Sequence, residues 1–127
     1  MIQEAYVSPE VARLLKDKGF LKGVDLRITQ NLSFYDNIGL THNLNRWYDS
    51  LIQDKIDFVV APTHQMAMAW LRERKIDIIV FHERLPEDCY WARIEKYPYT
   101  EHQQEPIYQT YEEAVEAALK YNLENLI

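Results

Sequence analysis

The chain has 127 residues, of which 47% are hydrophobic and 27% charged, proportions that let it bury a core of its own and exclude disordered, collagen-like and low-complexity classes. A net charge of −6 argues against nucleic-acid binding through phosphate neutralisation, and no run approaches the roughly 18 apolar residues of a membrane span. Cys89 is the single cysteine, so neither an internal disulfide nor a thiolate metal cluster can form, and the stretch Met1 to Ser8, without a basic start or apolar run, reads as that of a cytoplasmic protein.

Ser8-Pro9-Glu10 predicts a helix start, because the hydroxyl can accept an unpaired amide, proline needs no bond at the first helical position and glutamate suits the positive dipole end. Val11, Leu14 and Leu15 share a face, and Gly19 followed by Phe20 supplies a left-handed stop, so the helix runs from Pro9 to about Lys18. Val24, Leu26 and Ile28 alternate with polar residues and predict a first strand. Asn31 to Thr41 is rich in turn formers around Asp36-Asn37 and Gly39, while Leu32 and Phe34 extend the sheet as a second short strand. Leu44, Trp47, Tyr48, Leu51 and Ile52 recur at helical spacing after Thr41 as a cap; Asn43 and Asn45 weaken the pattern and leave a structured loop as the competing reading.

Ile56 to Ala61 reads as a strand ended by Pro62, and Pro62-Thr63 opens a helix to Arg74 with Met66, Ala67, Trp70 and Leu71 on its apolar face. Ile76 to Phe81 is apolar on both alternations apart from Asp77, which predicts a central strand covered on both faces. Arg84 to Asp88 makes a turn, and in the returning strand Tyr90, Ala92 and Ile94 share the buried face while Trp91, Arg93 and Glu95 share the wetter one. Tyr97 to Pro106 reads as a loop, and Thr110-Tyr111-Glu112-Glu113 as a capping box before a helix with the stripe Val115, Ala118, Leu119, Leu123 and Leu126. The sum is one α+β domain over residues 1–127, with a small, mostly antiparallel sheet and a central β-hairpin packed against three or four helices.

The run from Ser8 to Phe20, the block Val60-Ala61-Pro62-Thr63-His64-Gln65 leading to Trp70-Leu71-Arg72-Glu73, and the C-terminal Tyr111-Glu112-Glu113-Ala114 through Leu126-Ile127 together resemble a group of small proteins common in gut-bacterial and phage genomes. The segment Asn31 to Asp57 carries no block of that group. The resemblance implies a compact accessory protein of the prophage or mobile-element type and brings no catalytic residues to carry over.

His82, Glu83, Asp88 and Cys89 flank the hairpin turn, but one thiolate and one imidazole fall short of structural-zinc spacing, so a solvated turn is the ordinary reading and no metal or cofactor is expected. His64 lies in the first turn of its helix, where the dipole disfavours the imidazolium, a setting some enzymes use; with no nucleophile signature in the chain, a capping or interfacial role is the default. Glu73, Lys75 and Asp77 have the residue types of a metal-dependent nuclease, but Glu73-Arg74-Lys75 closes a helix, where such charges form a solvated end. Gly19, Gly23 and Gly39 are too scattered for a phosphate loop.

The aromatics Trp47, Tyr48, Tyr97, Tyr99 and Tyr108 lie in or beside the least regular segments, where exposed rings would make a contact surface. From Tyr97 to Ile127, six acids face Lys120 alone. The leading expectation is therefore a non-enzymatic interaction module for a protein partner or a second copy of itself, acidic enough to mimic nucleic acid. The alternative is a small-ligand-binding protein or small enzyme with a pocket between the sheet and the segment Asn31 to Ile56, using His64 or His82.

Overall fold

The computed structural model describes residues 5–84, 87–98, 100–103 and 108–127. Within them the chain order is α1 (Pro9–Asp17), β1 (Ser33–Tyr35), β2 (Leu40–Thr41), α2 (Leu44–Gln53), β3 (Val59–Ala61), α3 (His64–Glu73), β4 (Ile76–Glu83), β5 (Cys89–Lys96), β6 (Thr100–Gln103) and α4 (Tyr111–Asn125). Three of these four helices begin at a hydroxyl that accepts an otherwise unpaired amide: Ser8 takes Val11 at 3.2 Å, Thr63 takes Met66 at 3.2 Å and Thr110 takes Glu113 at 3.1 Å. At the far end of α1, Gly19 turns left-handed (φ +94) and the Phe20 amide donates to the Leu15 carbonyl at 2.9 Å, the stop that Gly19-Phe20 predicts. The capping box of α4 forms by half: the Glu113 carboxylate accepts from the Thr110 hydroxyl at 3.1 Å instead of reaching its backbone amide.

The segment with two competing readings is helical, as α2. Its cap is not Thr41, which belongs to β2; Asn43 stands at the start with φ 60 and makes no side-chain cap bond. Burial of Leu44 and Leu51, and the bond from the Leu44 amide to the Leu32 carbonyl at 2.9 Å, hold this helix in place of a cap.

The architecture is α+β with two three-stranded antiparallel sheets, ordered β2-β1-β3 and β4-β5-β6. In the first, Asp36 closes the β1–β2 hairpin by accepting the amides of Ile38 at 2.8 Å and Gly39 at 3.0 Å. Strand alternation sends Phe34 and Val60 toward Leu44 and Leu51 of α2, and Tyr35 and Val59 toward the main core. That core joins Val11 and Leu15 of α1, Leu71 of α3, Ile76 of β4, Ala92 and Ile94 of β5, and Val115, Leu119 and Leu123 of α4.

Four expectations need correction. Val24, Leu26 and Ile28 form turns, not a strand: the Asp25 carboxylate accepts the Arg27 amide at 3.0 Å, the Thr29 hydroxyl donates to the Asp25 carbonyl at 2.7 Å, and Ile28 is 75% exposed. Such local side-chain bonds offer the backbone an alternative to a ladder. The central strand is β5, not β4; β4 is an edge whose inner residues Ile78 and Val80 pack on the core while Phe81, on the other face, stacks on Trp91 at 4.4 Å. The expected loop Tyr97 to Pro106 contains β6, which pairs Arg93 with Gln103 and Lys96 with Thr100; Tyr99 and residues 104–107 lie outside the described residues, as do Leu85 and Pro86 of the expected turn. On α3, Met68 rather than Met66 is buried beside Ala67 and Leu71. Among the described residues no helix is long and apolar enough to cross a membrane.

Candidate functional site

Two places gather the chemistry-bearing side chains, a polar junction and a cavity. The junction forms where the first turns of α1 and α3 meet α4. The Glu116 carboxylate accepts the Ser8 amide at 2.8 Å with one oxygen and meets His64 Nε2 at 2.7 Å with the other. Burial alone would raise the Glu116 pKa, but the bonds from His64 and Ser8 outweigh it and hold the carboxyl below its ordinary value. His64 is itself buried, and its Nδ1 has no partner. The pair joins the first turns of α1 and α3 to α4.

A second polar pair escaped sequence reasoning: the buried Ser33 hydroxyl lies 2.6 Å from His42 Nδ1, and the Tyr6 ring packs against the imidazole with centroids 5.5 Å apart. No carboxylate among the described residues bonds to His42 to orient it as a base. At the hairpin end, His82 Nε2 meets Asp88 Oδ1 at 3.2 Å and Glu83 accepts from the Trp91 indole at 3.0 Å, with Cys89 opposite Glu83. Among the described residues, no group of three or more His, Cys, Asp or Glu is placed to hold a metal ion.

The aromatic candidates fall on different elements. Trp47 is exposed on α2, while Tyr48 is half-buried and edge-on to Phe58 with centroids 6.2 Å apart. Tyr97 is exposed just past one end of β5, and Tyr108 pairs through its backbone with Tyr90 at the other end, at 2.7 Å in both directions. The seven-residue rise from Tyr90 to Tyr97 separates those ends by roughly 23 Å. Tyr99 lies outside the described residues.

The cavity has a volume of about 1060 Å³ and opens between the C-terminal half of α1, the loop 18–26, the end of α2 and β3. Ala12, Phe20, Leu26, Phe58, Val59 and Val60 supply much of its apolar wall. Ile52 and Ile56, 55% and 39% exposed, complete the wall near solvent, and Leu21 enters it from a left-handed backbone (φ 59) that bulky residues rarely adopt. Lys16, Lys18, Lys22 and Arg74 line it together with Asp17 and Asp57. Neither His64 nor His82 reaches this cavity, although Ile52 and Ile56 belong to or adjoin the segment where a pocket is expected. Sequence reasoning ends α1 near Lys18 and assigns Val24 to Ile28 to a strand, so the convergence of the basic lining had no visible signal.

Comparison with known protein families, with curated proteins and with solved structures finds no match to this chain.

Proposed function

We propose that this protein is a non-catalytic binding module that encloses a small molecule in the cavity beside α1 and β3. The observation that carries the reading is the cavity itself. Protein interiors are close-packed and leave few voids larger than a water molecule, whereas ligand pockets run from about 300 to about 1000 Å³. A space of about 1060 Å³, bordered by isoleucines left in contact with solvent, matches the second class. The reading is compatible with the accessory role that the sequence resemblance implies.

A thermal-shift screen against a broad small-molecule set tests it. A ligand at a hundred times its Kd adds about 2.7 kcal/mol of stability, which raises the Tm of a chain this size by roughly 10 °C. Hits that vanish in Leu26→Trp, which fills the cavity from the loop side, support the reading; a flat response across the set defeats it. The interaction-module reading stands second, favoured by the exposed rings of Trp47 and Tyr97. Light scattering and pull-down with Trp47→Ala and Tyr97→Ala would show loss of a protein contact if either ring anchors one.

A further inference from the structure

Resting on the cavity reading, we infer that the ligand is an amphipathic anion, a plain hydrocarbon body ending in a carboxylate, as in a free fatty acid. The composition of the wall carries the first half. Every described lining residue is apolar or fully charged; among the described residues no Ser, Thr, Asn, Gln, Tyr or His lines the cavity. Sugars, nucleobases and amides bring many neutral donors and acceptors that are costly to bury unpaired, and the described walls offer them only the charged side chains, with no neutral hydroxyl or amide side chain among them. A hydrocarbon chain makes no such demand. The wall residues Phe20, Leu26, Ile52, Ile56, Phe58 and Val60 offer it contact from several sides.

The charges carry the second half. The chain has a net charge of −6, yet its cavity collects four cations against two acids. One of those acids, Asp57, is engaged by Arg13 at 3.1 Å. Two of the cations are also committed: Lys18 donates to the Ile127 carbonyl at 2.9 Å, and the Arg74 guanidinium lies over the Trp70 ring at 3.6 Å. Lys16 and Lys22 are exposed, and their ammonium groups make no hydrogen bond or ion pair among the described residues. A lysine ammonium is a mobile point charge that meets a carboxylate without demanding the fixed fork geometry of arginine. The two lysines sit one at each side of the α1 stop, so one head group at the mouth is within the field of both while its tail follows the apolar wall. Asp17, the remaining acid, opposes this attraction and sets its upper limit.

The test titrates the full chain with monomeric decanoate, octanoate, decanol and decyltrimethylammonium, followed by calorimetry and by tryptophan fluorescence. Decanoate should bind about tenfold more tightly than decanol, and the quaternary ammonium more weakly than both. Octanoate, shorter by two methylenes, should bind about tenfold more weakly than decanoate. K16E/K22E should weaken decanoate at least tenfold and leave decanol unchanged, with K16Q/K22Q intermediate; in the unaltered protein, added salt should weaken decanoate alone. Equal affinity for decanoate and decanol, indifferent to salt and to both lysine pairs, overturns the anionic class while leaving the cavity in place. Binding of none of the four overturns the amphipathic class, with the cavity reading still decided by the broad thermal-shift screen, whereas decanoate binding that survives Leu26→Trp overturns the cavity reading itself. Sedimentation with phosphatidylglycerol vesicles, without binding of monomeric decanoate, would instead assign the lysines to a membrane surface.

Discussion

In the sheet of β4, β5 and β6, the two longest strands have eight residues each and pair along their whole length, with Val115, Leu119 and Leu123 of α4 in the core they help to build. In the sheet of β1, β2 and β3, no strand exceeds three residues, and packing holds it on both faces: four buried residues around α2 on one side and the main core on the other. A long ladder with a sealed inner face leaves little room. A short sheet edged by turns does not close on its neighbours so completely, and the cavity opens there, where loop 18–26 spans from α1 toward β3 and the end of α2. The cavity thus falls in the less regular half of the molecule, where loops positioned by rigid elements meet.

This contrast makes unequal demands on the two cores. Leu119→Ala, at a fully buried site of the main core, should cost about 4 kcal/mol, while Leu51→Ala beside the short sheet should cost about 2 kcal/mol, because the smaller cluster can relax into the adjacent space. Equal losses in urea melts would mean that the halves are equally packed. Glu116→Gln should cost about 2 kcal/mol, since the half-buried carboxylate joins α1, α3 and α4 through two charge-assisted bonds.

The same site gives an acid signature. The folded Glu116 pKa lies below its unfolded value of 4.5, so the unfolded chain binds more protons in this window. Its contribution is complete above pH about 4.5 and is lost as pH falls through the folded value. The slope of stability against pH should therefore flatten below pH about 4.5 in Glu116→Gln; an unchanged slope would assign acid sensitivity to other carboxylates, such as Asp36, whose pKa the amides of Gly39 and Ile38 also hold down.

Two smaller changes of opposite sign complete the set. Thr110→Ala should lose about 1 kcal/mol with the α4 cap. Asn122 is fully buried, its side-chain amide donates to the Ala118 carbonyl at 2.8 Å, and its Oδ1 has no partner among the described residues. Asn122→Leu should therefore raise stability by about 1 kcal/mol, measured by the same melts; destabilisation would show that the asparagine fits its pocket better than an isosteric hydrocarbon.

Three of the four described helix starts and the α1 stop were legible because each rests on residues within four or five positions of one another, whereas the Thr41 cap and Met66 of the α3 stripe were not. Ser8, Gly19, Thr63 and Thr110 do in the fold what their neighbours require. The alternation at Val24 to Ile28 misled because Asp25, Arg27 and Thr29 satisfy the backbone locally and no strand among the described residues pairs with it. β6 was invisible for the opposite reason: Thr100 to Gln103 lack apolar alternation, and their strand identity comes from lying against β5.

The candidate sites divide in the same way. The position of His64 at a helix start followed from Pro62-Thr63, but its partner Glu116 lies 52 residues away and reads in the sequence as one more acid on an acidic helix. The cavity draws its walls from α1, a loop, α2, β3 and the end of α3, a convergence that no periodicity encodes. Local chemistry set where each helix starts and stops, because backbone amides near a chain turn must be satisfied by whatever side chains are adjacent. Which strand is central, which carboxylate meets which histidine, and where a space opens depend on how separate hydrophobic faces pack together, and that is a property of their surfaces in three dimensions rather than of their order along the chain.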